Sequence, residues 1–294
     1  MVILRRRIVK SFTLLFLVFL LSCGSNGLTT REKKAELYYS HGTSKLLDKE
    51  YTLALDNLLQ ANDLKPGDSK INNNLGMTYY FKKQYAQAEH HLQQAIDIDP
   101  KNSDARNNLA SLYYHLKKFK QAEKVYLGIL RNLIYKHQYR IHYNLALLKL
   151  KFKDRGAAHK HLLQAVKIKN DYCPGHILLG QLEKNSKNFE KALKHFEDAL
   201  KGTCYNIPQS HYLKALTLIE LEEYEKANDT LEQLKIKFYT SPYSKLAGDR
   251  MLEIAHKSRP DKKSWANLLP SQKKLLRELE RESEFEKAYK ASKF

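Results

Sequence analysis

LGMTYYFKKQYAQAEHHLQQAIDIDP, residues 75–100, is followed by LASLYYHLKKFKQAEKVYLGIL, residues 109–130, and the second stretch repeats the pattern of the first. Leu75 pairs with Leu109, Gly76 with Ala110, Tyr79 with Tyr113, Tyr85 with Phe119 and Ala88 with Ala122, always at an offset of 34 residues. A fixed period of this length marks an architecture of stacked units, none of which buries its apolar face alone. The same frame runs outward in both directions. Repeats begin at Ala35, Ser69, Ser103, near Tyr139, at Cys173 and near Pro208. Each has a small residue at position 8 (Gly42, Gly76, Ala110, Ala146, Gly180, Ala215) and alanine at position 20 (Ala54, Ala88, Ala122, Ala158, Ala192, Ala227). Position 24 is large in all six: Leu58, Leu92, Tyr126, Leu162, Phe196 and Leu231.

This pattern, with Pro66 and Pro100 closing the first two repeats, resembles the tetratricopeptide repeat. The resemblance implies two antiparallel helices per repeat, held close by the small residues at positions 8 and 20. The expected fold is all-α, a right-handed superhelical solenoid of about six repeats with C-terminal capping helices. Proline at Pro100 ends its helix because the residue before a proline is pushed out of the helical region. Two features depart from the pattern. Ile129 and Leu234 stand where position 27 should be small, and repeat four has Lys153-Asp154-Arg155-Gly156 around the usual aromatic position, after a two-residue insertion. A change of superhelical path is expected there. Residues 238–255, FYTSPYSKLAGDRMLEIA, resemble the start of a further first helix, so 243–257 should form a cap. Ser258 to Pro270 reads as a loop, and Ser271 to Ala291 as a charged helix with Leu275, Leu276 and Leu279 on one stripe.

The N-terminus has a different character. Arg5, Arg6, Arg7 and Lys10 precede an apolar run from Phe12 to Leu21, which stops at Ser22-Cys23-Gly24. Ten apolar residues are short for a bilayer span, which takes roughly 20, and suit an export signal. Leu20-Leu21-Ser22-Cys23 resembles the bacterial lipobox, which implies cleavage before Cys23 and acylation of its sulfur and freed amine. Several acyl chains anchor stably where one does not. The residues alone also admit an uncleaved signal-anchor. The expected organisation is a signal peptide at 1–22, a lipidated linker at 23–34, the repeat domain at 35–240 and a helical cap and tail at 241–294. Gly24, where in enterobacteria an aspartate would favour inner-membrane retention, points by that analogy to the outer membrane; the expected placement is a lipid anchor there, facing the periplasm.

Without the signal the chain carries a net charge of +15, its lysines interleaved with Glu and Asp along the whole length. No nucleic-acid-reading motif accompanies that charge, and a solvated basic surface accounts for it. Cys173 opens the first helix of repeat five and Cys204 follows its second, so antiparallel packing brings them near one another; a disulfide and two free thiols both remain open. His142, His176 and His211 recur at position 4 of successive repeats. Neighbouring helices lie about 8–10 Å apart, too far to share one ion through bonds of about 2 Å. His159 and His161 point to different faces. No metal and no cofactor is expected.

Position 6 carries Asn74, Asn108 and Asn144. In superhelical members of the resembled family, asparagines there line a groove and bond the backbone of an extended peptide, a role that suits a carboxamide's paired donor and acceptor. Asn73, Met77, Tyr80, Phe81, Asn107, Tyr114, His115 and Tyr143 surround them at groove-facing positions. Met77 stands where chaperone-binding relatives have a clamp asparagine, so that clamp is not matched. No phosphate loop, nucleophile elbow or His-Glu-x-x-His is present. Signal, lipobox and six repeats together resemble the type IV pilus secretin pilotins, echoed also by Tyr205-Asn206-Ile207-Pro208. The implied role is a non-catalytic, membrane-anchored scaffold whose partners are proteins, secretin subunits in its most specific form. An adaptor lipoprotein that recruits peptidoglycan hydrolases or proteases is the alternative.

Overall fold

The structure, a computed structural model, describes residues 29–257 as thirteen α-helices and one short 3-10 turn, with no strand among them. Cys23 and the leader before it, and the charged helix expected at Ser271 to Ala291, lie outside the described residues. The helices form two compact units, one ending at Val125 and the other starting at Tyr126.

In the first unit α1 (Thr30–Leu47) pairs with α2 (Tyr51–Leu64), and α3 (Ser69–Phe81) with α4 (Tyr85–Ile98). Next come α5 (Ser103–His115) and the start of α6 (Phe119–Leu130), within which the division between units falls. Helix α1 begins five residues before the first repeat, which shortens the expected linker. The Thr29 side chain accepts from the Glu32 N–H, and the Glu32 carboxylate takes the Thr29 N–H at 2.8 Å, a reciprocal cap.

The second unit has three hairpins: α7 (Gln138–Lys151) with α8 (Arg155–Ile168), α9 (Cys173–Asn185) with α10 (Phe189–Leu200), and α11 (Pro208–Glu220) with α12 (Tyr224–Lys237). A 3-10 turn, Thr203–Asn206, leads into α11, and α13 (Pro242–Lys257) caps the stack. Ala247 and Ile254 of α13 join the buried cluster of Ala215, Leu218, Ala227, Leu231 and Leu234. Burying the Ile254 side chain contributes about 1.5–3 kcal/mol, so α13 closes an apolar end that α11 and α12 leave open.

The small residues at position 8 set how closely each hairpin packs. A Cβ on Gly76 would lie 2.6 Å from Leu92 Cγ, and one on Gly180 would lie 2.6 Å from Phe196 Cε1. Each hairpin then turns in the same way. Position 15 is left-handed in all six repeats: Lys49, Lys83, Lys117, Lys153, Lys187 and Glu222 have φ from 59° to 64°. The flanking bonds repeat as well. In α3 the Lys83 N–H donates to the Tyr80 carbonyl at 2.9 Å and the Gln84 N–H to the Tyr79 carbonyl at 2.9 Å. This paired closure is the Schellman motif, in which glycine usually takes the left-handed residue.

Candidate partner-binding surfaces

In the first unit, residues from three first helices form a row of side-chain amides. Asn108 Nδ2 donates to Asn73 Oδ1 at 2.9 Å, Asn73 Nδ2 to Asn74 Oδ1 at 3.1 Å, and Asn74 Nδ2 to Thr43 Oγ1 at 2.9 Å. The Thr43 hydroxyl in turn donates to the Tyr39 carbonyl at 2.7 Å. A carboxamide offers two N–H donors and two acceptor lone pairs, and the row uses one of each on Asn73. What remains can face a bound backbone. The residues of the row are half-buried, which shields their bonds from water without closing them off.

Aromatic side chains lie beside this row. The Tyr80 ring meets His115 edge-on at 5.4 Å, His115 Nε2 lies 2.9 Å from the Tyr85 hydroxyl, and Tyr51 stacks on Phe81 at 4.9 Å. Tyr114 packs against Phe119 at 5.6 Å. Burial pushes the Tyr80 and Tyr114 phenols up, so both stay neutral donors at ordinary pH. Met77 is half-buried on the same helix as the amides.

Asn107 is corrected. It is 3% exposed and does not line an open surface. The reason is helical: Ser103, Asn107 and Ala110 are buried at spacings of four and three, one inward stripe of α5. Asn144 and Tyr143 are half-buried on α7 and belong to the second unit. Tyr143 meets Tyr172 edge-on at 5.6 Å, and burial first, then the neighbouring Tyr143, pushes the Tyr172 phenol up to about 12.

The second unit holds a cavity of about 820 Å³, which the position-6 asparagines did not foretell. Its apolar wall is Leu150, Leu178, Leu182 and Leu213. Leu178 and Leu213 occupy position 6, where repeats two, three and four have asparagine. Lys153, Arg155 and Lys184 supply the cations. Arg155 stands at position 17, so the loss of the aromatic in repeat four puts a guanidinium into the wall. Burial pushes the Lys184 ammonium down, Glu220 opposes that shift, and Arg250 adds to it. A pocket of this volume and apolar character is within the range of ligand sites.

Cys173, at the start of α9, and Cys204, in the 3-10 turn, are joined as a disulfide with Cα atoms 5.6 Å apart, inside the ordinary range. Two of the position-4 histidines pair across their own hairpins, and the third bonds the turn that precedes its helix. His142 Nδ1 lies 3.0 Å from His161 Nδ1, His176 Nδ1 lies 3.3 Å from His195 Nδ1, and His211 Nε2 donates to the Tyr205 carbonyl at 2.8 Å. In the second repeat Asn72 Oδ1 takes the corresponding place, 3.0 Å from His91 Nδ1.

The model of a tetratricopeptide repeat family matches residues 82–133. No curated protein matches the chain. Among solved structures, PilF of Pseudomonas aeruginosa superposes with a TM-score of 0.62 at 18% identity, over 75% of this chain and 100% of that one. PilW, described as a widely conserved type IV pilus biogenesis factor, gives 0.60 at 16% identity, over 71% of this chain and 96% of that one. With hairpins in register from Ala35 onward, a shared turn at position 15 and the family's own model matched over 82–133, the chain has the fold of a tetratricopeptide-repeat solenoid.

Proposed function

We propose that the chain is a non-catalytic, lipid-anchored scaffold that holds a protein partner during assembly of an envelope complex. Its most specific form is a pilotin for a type IV pilus secretin. The row Thr43–Asn74–Asn73–Asn108 carries this reading, because it presents paired donors and acceptors at hairpin spacing beside aromatic side chains. Such an array suits an extended backbone, which offers alternating N–H and C=O groups. The likeness of fold to PilF and PilW supports the pilus form, and the lipobox-like Leu20-Leu21-Ser22-Cys23 supports the anchor.

Two comparisons test the reading. An Asn73→Ala, Asn74→Ala, Asn108→Ala chain is compared with wild type for capture of secretin subunits from detergent-solubilised envelopes, with helical circular dichroism as the folding control. Each lost bond is worth about 0.5–1.5 kcal/mol net, so capture should fall with helicity intact. Wild-type capture by the variant would move the partner to another surface; wild-type chain that captures peptidoglycan hydrolases and no secretin would make it an adaptor. Separately, Cys23→Ala should abolish labelling by palmitate and association with the outer membrane. Continued labelling would remove the anchor.

A further inference from the structure

The fifth repeat brings together three side chains of metal-ligating type. One imidazole nitrogen each of His176 and His195 and one Asp198 carboxylate oxygen all lie within 4.8 Å of one another. His195 and Asp198 are three apart on α10, hence on one face, and His176 reaches them from α9. His176 is buried; His195 and Asp198 are half-buried.

The geometry of the imidazoles is specific. His176 Nε2 donates to the Asn170 carbonyl at 2.8 Å. That bond places the ring proton on Nε2 and leaves the Nδ1 lone pair aimed at His195. Metal-bound histidines are oriented in this manner, by donating their other N–H to a carbonyl or carboxylate. The two Nδ1 atoms are 3.3 Å apart. Ligands about 2.0–2.1 Å from a tetrahedral ion stand about 3.3–3.4 Å from each other, so the pair already spans one edge of such a tetrahedron. Asp198 Oδ1 is held at 2.7 Å by Lys201, whose side chain is largely exposed and readily displaced. Closing the site asks the carboxylate to move by up to about 1.4 Å toward the rings, given bonds of about 2.0–2.2 Å.

Two other repeats provide internal comparisons. At positions 4, 23 and 26 the second repeat has Asn72, His91 and Gln94, the fourth has His142, His161 and Gln164, and the fifth has His176, His195 and Asp198. Only the last triplet combines two imidazoles with a carboxylate. In the fourth, the two Nδ1 atoms approach to 3.0 Å, which suits a plain hydrogen bond.

We propose that His176, His195 and Asp198 bind one divalent ion of the zinc class, with water completing its shell. The ion cross-links α9 to α10 near the Cys173–Cys204 disulfide, so its role is to clamp the fifth hairpin, and the partner surfaces do not depend on it. The test uses the full chain, purified in detergent without an affinity tag and stripped of metal, and titrated with Co²⁺ and Zn²⁺. One Co²⁺ per chain is expected, with the intense visible bands of four-coordinate cobalt, displaced by Zn²⁺. Asp198→Asn, nearly isosteric and checked for helicity, should weaken uptake at least about ten-fold, since even outer-shell changes cost about 10–100-fold. His195→Ala should do the same, and His142→Ala should leave uptake unchanged. No cobalt bands, or uptake that survives Asp198→Asn at full strength, would each overturn the proposal.

Discussion

Replacing Gly76 by alanine tests how closely a hairpin is packed. The new Cβ would meet Leu92 Cγ at 2.6 Å, Leu92 Cδ2 at 2.9 Å and the Ala88 carbonyl oxygen at 3.2 Å. Carbon atoms rest at about 3.5–4.0 Å, so the overlap with Leu92 is about 1 Å. Leu92 is fully buried, and its branch carbon cannot swing away without emptying the hairpin interior. The α3 and α4 backbones must part. Overpacking of this kind costs about 1–3 kcal/mol, while alanine gains about 0.8–1.0 kcal/mol over glycine inside a helix. The sum is a loss of about 0–2 kcal/mol. Repeats three, four and six already have alanine here (Ala110, Ala146, Ala215), so a hairpin can be built slightly wider, which favours the lower half of that range. Gly128 is the control: a Cβ there meets nothing within 4 Å, so alanine should stabilise by roughly the propensity gain alone. Urea unfolding followed by circular dichroism reads both as shifts in midpoint at constant slope. Gly76→Ala as stabilising as Gly128→Ala would show that position 8 does not set the hairpin spacing.

Further outcomes follow from the turns, the disulfide and the histidines. Lys83→Gly should stabilise by about 0.5–1 kcal/mol, because a left-handed residue with a side chain costs roughly 1–2 kcal/mol and glycine returns part of that as entropy; the neighbouring Lys82→Gly, at φ −77°, should gain nothing, and equal effects would refute the reasoning. Reduction of the Cys173–Cys204 bridge, across a separation of 31 residues, should cost about 3–4 kcal/mol in a melt with and without reductant, and free alkylation of both thiols before reduction would deny the bridge. Burial, aided by His161, pushes the His142 imidazole down to about 4. The unfolded chain therefore takes up this proton first, so stability is full above about pH 6.5 and is lost as pH falls toward 4. His142→Asn, which copies Asn72 of the second repeat, should flatten that part of the stability profile, and an unchanged acid limb would refute it.

The hairpin frame was legible because it rests on volume. Residues at positions 8, 20 and 24 must be small, small and large for two helices to meet, and six repeats keep that order from Gly42 to Leu231. The left-handed turn was hidden because lysine or glutamate occupies it, where glycine would have announced it. The early start of α1 could have been read from Thr29 and Glu32, a capping box in plain sequence. Asn107 was misplaced because position 5 is half-buried in α3 and fully covered in α5, although positions 3, 7, 8 and 10 are buried alike in both helices, so the repeat frame alone does not tell the two apart. The histidine pairs lie 19 residues apart, across a hairpin, a spacing that the 34-residue period does not reveal. The leucine-walled cavity depends on Leu178 and Leu213 replacing a polar residue, a change that looks conservative for a helix and alters the surface entirely.

The turn at position 15 also has an electrical consequence. Lys49, Lys83 and Lys117 occupy one corner of successive hairpins in the first unit, and Lys153 and Lys187 do so in the second, all with exposed side chains. Adjacent packed helices stand about 8–10 Å apart, which is close to the Debye length of about 8 Å at physiological ionic strength. Neighbouring ammonium groups in such a row are nearly screened from one another in the cell. In dilute buffer, where that length grows to about 30 Å at 0.01 M salt, they act as one continuous line of charge. The five lysine turns thus give each unit a line of charge whose attraction for anionic headgroups or acidic chains is set by the surrounding salt.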